Sequence, residues 1–278
     1  MREPWNLAVI GLGRAGRARV RDIPLAGARL AATVSRRPGL GSHTLAQVLA
    51  DADIHACVIA TENASHAGLA EACLRAGKHV LVEFPLTDDP ATARRLYAID
   101  RGLVLHVELI GLLTADQTAL RQTCLRERPA RVQLGFTGGC EGWLADEARA
   151  GHWGQLAVAR LHALWDALGP LQLQRAAVET SSDGYRLVVD LLARATQVRL
   201  IEVRVPGLAR GRTLDLTRAD GSPIETMDVE DAGPGLFLRD LQAFLTRIDT
   251  RGDTGAYVSD ADVLAVLDLA AAISEACA

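Results

Sequence analysis

Gly11, Gly13 and Gly16 stand at a Gly-x-Gly-x-x-Gly spacing between an apolar run at 7–10 and a helix-compatible run at 14–22, an arrangement that can cradle a pyrophosphate. Gly11 supplies a tight turn, Gly13 lets the backbone approach the phosphates, and Gly16 lets helix and strand pack closely. Arg14 and Ala15 then sit at a helix N-terminus, where free N–H groups and the helix dipole favour an anion. Three glycines alone are a weak signal. The flanking strand and helix make them a dinucleotide-binding loop rather than a βα turn without a ligand.

The end of the second strand in such a unit selects the cofactor: an acid accepts the ribose 2′-hydroxyl of NAD, whereas arginine accommodates the 2′-phosphate of NADP. Here that strand runs into Ser35-Arg36-Arg37 with no adjacent acid, which favours NADPH over NADH; the alternative is a pair of solvated arginines. Thr61, Glu62 and Asn63 follow the third strand, and Glu83 and Phe84 follow the fourth. Both segments leave carboxyl ends of parallel strands, where doubly wound sheets bind ligands. Ser65 is a candidate helix cap, and His66 reads as a first-turn helix residue rather than a catalyst.

The elements that must position these residues change character along the chain. Up to about residue 112, β-type runs alternate with helical patterns (helices at 14–22, 44–49, 65–76 and 88–101), which implies a parallel sheet. Beyond it, strands are expected at 130–137, 171–180, 185–192, 197–205, 212–218 and 224–229, with helices at 112–126, 155–168, 235–248 and 259–276. The expected organisation is a dinucleotide-binding domain at 1–112 and an α+β domain at 113–278, a mainly antiparallel sheet with helices on one face.

Composition narrows the chemistry further. Of the 30 Lys and Arg residues only Lys78 is lysine, so a catalytic lysine has one possible address, and most of the arginines are expected to be solvated surface. The net charge of −4 argues against bulk nucleic-acid binding. Five dispersed cysteines without a Cys-x-x-Cys pair read as reduced thiols, and no metal site is expected. No leader-like segment or bilayer-length apolar run is visible, so a cytoplasmic protein is expected, with no membrane partner, as a monomer or homodimer.

The glycine loop, the segment Ala76-Gly-Lys-His-Val-Leu-Val-Glu83 and the following sheet domain together resemble the glucose-fructose oxidoreductase, inositol dehydrogenase and MocA family over essentially the whole chain. The resemblance implies a Rossmann domain followed by a substrate domain. That family commonly carries Glu-Lys-Pro after its fourth strand; this chain has Glu83-Phe84-Pro85, and Lys78 lies at the other end of the strand. Oxidising a sugar hydroxyl needs a base, so the phenylalanine argues against the commonest family reaction.

Within the family, Val34-Ser-Arg-Arg37, His79-Val-Leu-Val-Glu-Phe-Pro-Leu-Thr87, Val104-Leu-His-Val-Glu108, Arg160-Leu161, Pro206-Gly-Leu-Ala-Arg-Gly-Arg212 and Phe237-Leu-Arg-Asp240 occur in an order similar to the biliverdin reductases. That resemblance implies NADPH-dependent hydride transfer to the central methine carbon of biliverdin, yielding bilirubin. It also implies Arg160, Arg210, Arg212 and Glu108 as candidate substrate-binding residues, and Arg160 and Glu83 as candidate catalytic ones; the broader family, which often supplies a helical histidine with a nearby aspartate as acid and base, adds His162 as a catalytic candidate. His162 and Asp166, four apart on one helix face, would serve as the proton relay of an alternative sugar, polyol or imine oxidoreductase. A non-catalytic NADP-binding sensor is a further alternative.

Overall fold

The computed structural model describes residues 3–99, 102–140, 153–181, 183–231, 233–250 and 257–278. The chain divides into two compact units, one of residues 1–113 with 232–261 and one of 114–231 with 262–278.

The first unit is built on a parallel sheet of order β2-β1-β3-β4-β5, from β1 (Asn6–Ile10), β2 (Arg29–Val34), β3 (Ala56–Ile59), β4 (His79–Val82) and β5 (Leu105–Val107). Helices α1 (Arg14–Leu25), α2 (Leu45–Ala50), α3 (His66–Arg75) and α4 (Pro90–Tyr97) follow the first four strands. Local chemistry sets several boundaries. Thr44 and Gln47 close a capping box on α2, and the Asp89 carboxylate accepts the Ala91 and Thr92 N–H groups at the start of α4. Gly77 ends α3 with φ +73°, a left-handed conformation that glycine adopts without strain.

One helix departs from the sequence expectation. α7 (Leu236–Thr250), assigned by order in the chain to the second domain, belongs to the first unit. Its stripe Leu241, Phe244, Leu245 and Ile248 packs in one core cluster with Leu7, Val9, Val58, Leu81 and Ile23 of α1. A parallel sheet needs apolar cover on both faces, and helices supplied only by its own βα repeats do not complete it here.

The second unit holds a mixed sheet of order β10-β6-β9-β8-β7, from β6 (Arg131–Gly138), β7 (Gln172–Ser181), β8 (Gly184–Ala193), β9 (Thr196–Arg204) and β10 (Gly211–Thr217). Only the β6–β9 pair is parallel. α5 (Ala115–Glu127), α6 (Trp153–Leu168) and α8 (Asp260–Ala276) are its helices, the first two residues of α8 being counted with the first unit. Buried Leu187, Val189 and Leu191 of β8 alternate with partly exposed residues, the signature of a sheet covered on one face. The expected strand at 224–229 does not form. After an isolated bridge between Thr217 and Pro223, the Met227 N–H leaves the ladder to donate to Thr123 Oγ1 of α5 at 2.9 Å. Among the described residues no helix is long and apolar enough to cross a membrane.

Candidate functional site

The first unit carries a cleft of about 600 Å³ at the carboxyl ends of β1, β2 and β3. Gly11, Gly13, Arg14, Ala15, Ser35, Arg36, Arg37, Thr61 and Glu62 line it. The glycines separate by cause. Gly11 has φ +99°, and a Cβ there would lie 2.3 Å from the Ala60 carbonyl oxygen; one on Gly16 would lie 1.8 Å from the Gly11 carbonyl oxygen. Packing alone therefore demands both. A Cβ on Gly13 would meet no atom within 4 Å, so the open space above it is the feature that suits a pyrophosphate.

Arg36 forms an ion pair with Glu62 at the cleft, and a backbone hydrogen bond, joined by this guanidinium and opposed by burial, holds the Glu62 carboxyl below its ordinary range. The Arg37 N–H donates to Ser35 Oγ at 3.1 Å. Asn63 opens a short 3-10 turn and does not line the cleft, nor do Glu83 and Phe84. Ser65 holds the N-cap position of α3 but its side chain makes no capping hydrogen bond; its Oγ donates to the Glu62 carbonyl at 2.8 Å and meets Thr61 Oγ1 at 2.7 Å. His66, buried, reaches the Pro85 carbonyl through Nδ1 at 2.7 Å and the Thr61 carbonyl through Nε2 at 3.1 Å, tying together the loops after β3 and β4.

Glu83 is not a free carboxylate. Arg19 of α1, fully buried, donates from Nε to Glu83 Oε1 at 2.8 Å and from Nη1 to the Phe237 carbonyl at 2.9 Å, while its Nη2 meets Asp240 Oδ2 at 2.5 Å. Asp240 Oδ1 also accepts from His106 Nε2 at 2.8 Å and from the Tyr257 hydroxyl at 2.5 Å. Burial raises the Glu83 carboxyl despite Arg19, whereas burial of Asp240 is outweighed by His106, Arg19 and Tyr257, which hold it low. Glu108 accepts the Ile110 N–H at 3.1 Å and the Phe84 N–H at 3.4 Å. Burial, with the charges of Glu83 and Asp240, pushes its carboxyl up to about 7, so it can hold or release a proton near neutral pH.

In the second unit a cationic cluster surrounds Phe136 near the end of β6. The guanidinium carbons of Arg160, Arg204 and Arg210 lie 3.9, 4.6 and 5.5 Å from the ring centroid. Glu202, fully buried on β9, is the carboxylate among them: its Oε1 accepts from Arg204 Nε at 2.8 Å, the Tyr185 hydroxyl at 3.1 Å and Arg160 Nη2 at 3.3 Å. Burial, assisted by Arg204 and Arg210 and opposed by Glu202, lowers Arg160 from the usual guanidinium range.

Arg212, expected beside Arg160 and Arg210, instead pairs with Asp116 at 3.5 Å and lines a separate cleft of about 420 Å³ with Leu214 and Met227. His162 is buried, and burial pushes its imidazole down to about 4 despite Asp262. Among the described residues it makes no hydrogen bond to Asp166, whose oxygens accept from Gln117 Nε2 at 2.8 Å and Arg121 Nη1 at 3.2 Å. The expected His162–Asp166 relay is therefore absent among the described residues: His162 is turned into the core and Asp166 is engaged by α5. Sequence reasoning missed Glu202, although an acid in phase with buried Val198 and Leu200 on a strand is a legible sign of a buried charge.

Residues 5–108 match the model of an oxidoreductase family with an NAD-binding Rossmann fold. The chain is 30% identical to biliverdin reductase A of Homo sapiens over 259 residues, covering 88% of this chain and 86% of that protein. A biliverdin reductase from Synechocystis sp. PCC 6803, solved with biliverdin and NADP+, has the same fold with a TM-score of 0.76 at 22% identity, covering 99% of both chains. Scyllo-inositol dehydrogenase from Lactobacillus casei, solved with NAD(H) and scyllo-inositol, reaches 0.75 at 17% identity, covering 99% of this chain and 97% of that one. The chain belongs to the glucose-fructose oxidoreductase, inositol dehydrogenase and MocA family of NAD(P)H-dependent oxidoreductases, the family that includes biliverdin reductase A.

Proposed function

We propose that the protein reduces biliverdin to bilirubin with NADPH. The observation that carries this reading is the cluster on Phe136, where three guanidiniums gather and one carboxylate, Glu202, pairs with two of them. Net positive charge beside an aromatic ring suits a flat conjugated ligand with two carboxylates. The identity to human biliverdin reductase A, which runs through both units, supports it.

NADPH supplies the hydride for the central methine carbon, and a proton goes to a pyrrole nitrogen, so that biliverdin, NADPH and H+ become bilirubin and NADP+. The loop around Gly13 holds the pyrophosphate, and Ser35, Arg36 and Arg37 take the 2′-phosphate, with NADH a weaker substitute. For Arg36 this means exchanging the Glu62 carboxylate for the phosphate. Arg160 and Arg210 bind substrate carboxylates and stabilise charge on the pyrroles. A guanidinium hardly deprotonates at neutral pH, so Arg160 acts through its field rather than as an acid. Glu108 can carry a proton at the pH of reaction.

A sugar or polyol substrate fits less well. The Lys78 ammonium is buried and donates to the Asp51 carbonyl at 2.5 Å, and His162 lies in the core without Asp166 as partner, so neither is placed as the base such a reaction needs. The test is the visible spectrum of biliverdin mixed with the purified protein and NADPH. Loss of the biliverdin band with growth of the bilirubin band is expected; an unchanged spectrum from acid to alkaline pH overturns the reading.

A further inference from the structure

We infer that Glu202 is the positioning residue of the bilin site, its single oxygen Oε1 aligning Arg160 and Arg204 for the substrate carboxylates. The inference rests on the bilin reading above. Three donors from three elements converge on that atom: Arg160 Nη2 from α6, Tyr185 from β8 and Arg204 Nε from β9 itself. The other oxygen, Oε2, is buried without a hydrogen-bond partner among the described residues, and so is Arg160 Nε. A carboxylate that served only to neutralise and satisfy its neighbours would engage both oxygens; buried polar atoms without partners are rare and call for a reason.

Charge and geometry agree on that reason. One carboxylate leaves the three guanidiniums on Phe136 with excess positive charge, so the cluster can still accept an anion. Oε1 takes one N–H from each of Arg160 and Arg204, and both guanidiniums lie over the same ring, so each is held at two points. Arg204 Nη1 is turned to the Gly139 carbonyl at 3.3 Å and Arg160 Nη1 to the Leu156 carbonyl at 3.3 Å, which fixes their orientation further. Arg204 thus stands in the cluster where the family resemblance implied Arg212.

Glu202→Leu removes the acceptor at similar volume, and Glu202→Gln keeps an acceptor oxygen while removing the charge. With biliverdin, Glu202→Leu is expected to raise KM about tenfold, the loss of hydrogen bonds to charged groups. The KM for biliverdin dimethyl ester, which lacks the two negative charges, should move far less. Glu202→Gln should recover part of the lost affinity relative to Glu202→Leu. Equal losses for acid and ester, or no loss at all, overturn the inference. If Glu202→Leu does not fold, Tyr185→Phe removes one of the three donors without changing charge and should show the same acid-selective rise at smaller size. Wild-type protein that reduces neither acid nor ester overturns the bilin reading itself. The positioning of Arg160 and Arg204 for bilin carboxylates falls with that reading.

Discussion

Arg19 of α1 and Asp240 of α7 form an ion pair, Nη2 to Oδ2 at 2.5 Å, with both side chains fully buried. It ties the helix that follows the glycine loop to a helix from the far end of the chain. Breaking it by Asp240→Asn removes the charge and leaves one acceptor oxygen where Arg19 uses Oδ2 and His106 and Tyr257 share Oδ1, so one set of donors faces the amide NH2. Loss of one partner of a buried pair costs about 3–5 kcal/mol. A chemical denaturation curve with a correspondingly lower midpoint is expected, and an unchanged midpoint refutes the assignment. Because the folded-state carboxyl of Asp240 is held low, its contribution is complete above the ordinary aspartate range and lost as pH falls through the depressed value.

Glu108 has the opposite sign. Its carboxyl is raised to about 7 in the folded protein, so its stabilising protonation is complete below the ordinary glutamate range and disappears as pH rises through about 7. Glu108→Gln should therefore increase stability at pH 8 relative to pH 5, by up to about 3 kcal/mol in the difference. Melting temperatures of both proteins at the two pH values check this, and a pH-independent difference contradicts it.

Replacing Arg36 and Arg37 together by alanine should weaken NADPH binding by roughly tenfold or more and leave NADH binding nearly unchanged. Titration of cofactor fluorescence measures both affinities. Equal loss for the two cofactors would mean that these arginines do not read the 2′-phosphate.

Arg160 and His162 are two residues apart on α6, and opposite outcomes are expected from them. Arg160→Met should lower kcat/KM for biliverdin on the order of a hundredfold, as removal of a preorganised charge does. His162→Leu should change turnover little, because the imidazole is buried and its proposed partner is engaged by Gln117 and Arg121. A collapse of kcat in His162→Leu, with the fold intact by circular dichroism, would restore the histidine as a catalyst.

The site was unevenly legible. Gly11, Gly13 and Gly16 were readable because a dinucleotide loop is a local object: its turn, its close approach and its helix start all fall within a few residues. The Arg204–Glu202–Arg160 arrangement was not, because β9 and α6 are far apart in the chain: the register of β6 with β9 sets Phe136 opposite Glu202, and the packing of α6 brings Arg160 to both. Arg212 shows the same limit: the resemblance grouped it with Arg160 and Arg210, but it stands opposite Phe136 on β10 and turns to Asp116 instead.

Residue order and type were sufficient for the parallel βα unit, the phosphate-binding loop and the exclusion of Phe84 as a base, since each depends on short-range spacing or on a functional group that is absent. Tertiary structure decided that α7 completes the first unit, that His162 is core, that Glu83 is tied to Arg19, and that one oxygen of Glu202 gathers two arginines. Those outcomes turn on which distant side chains share a low-dielectric interior, where an unpaired charge costs most and a partner must be found wherever the fold supplies one.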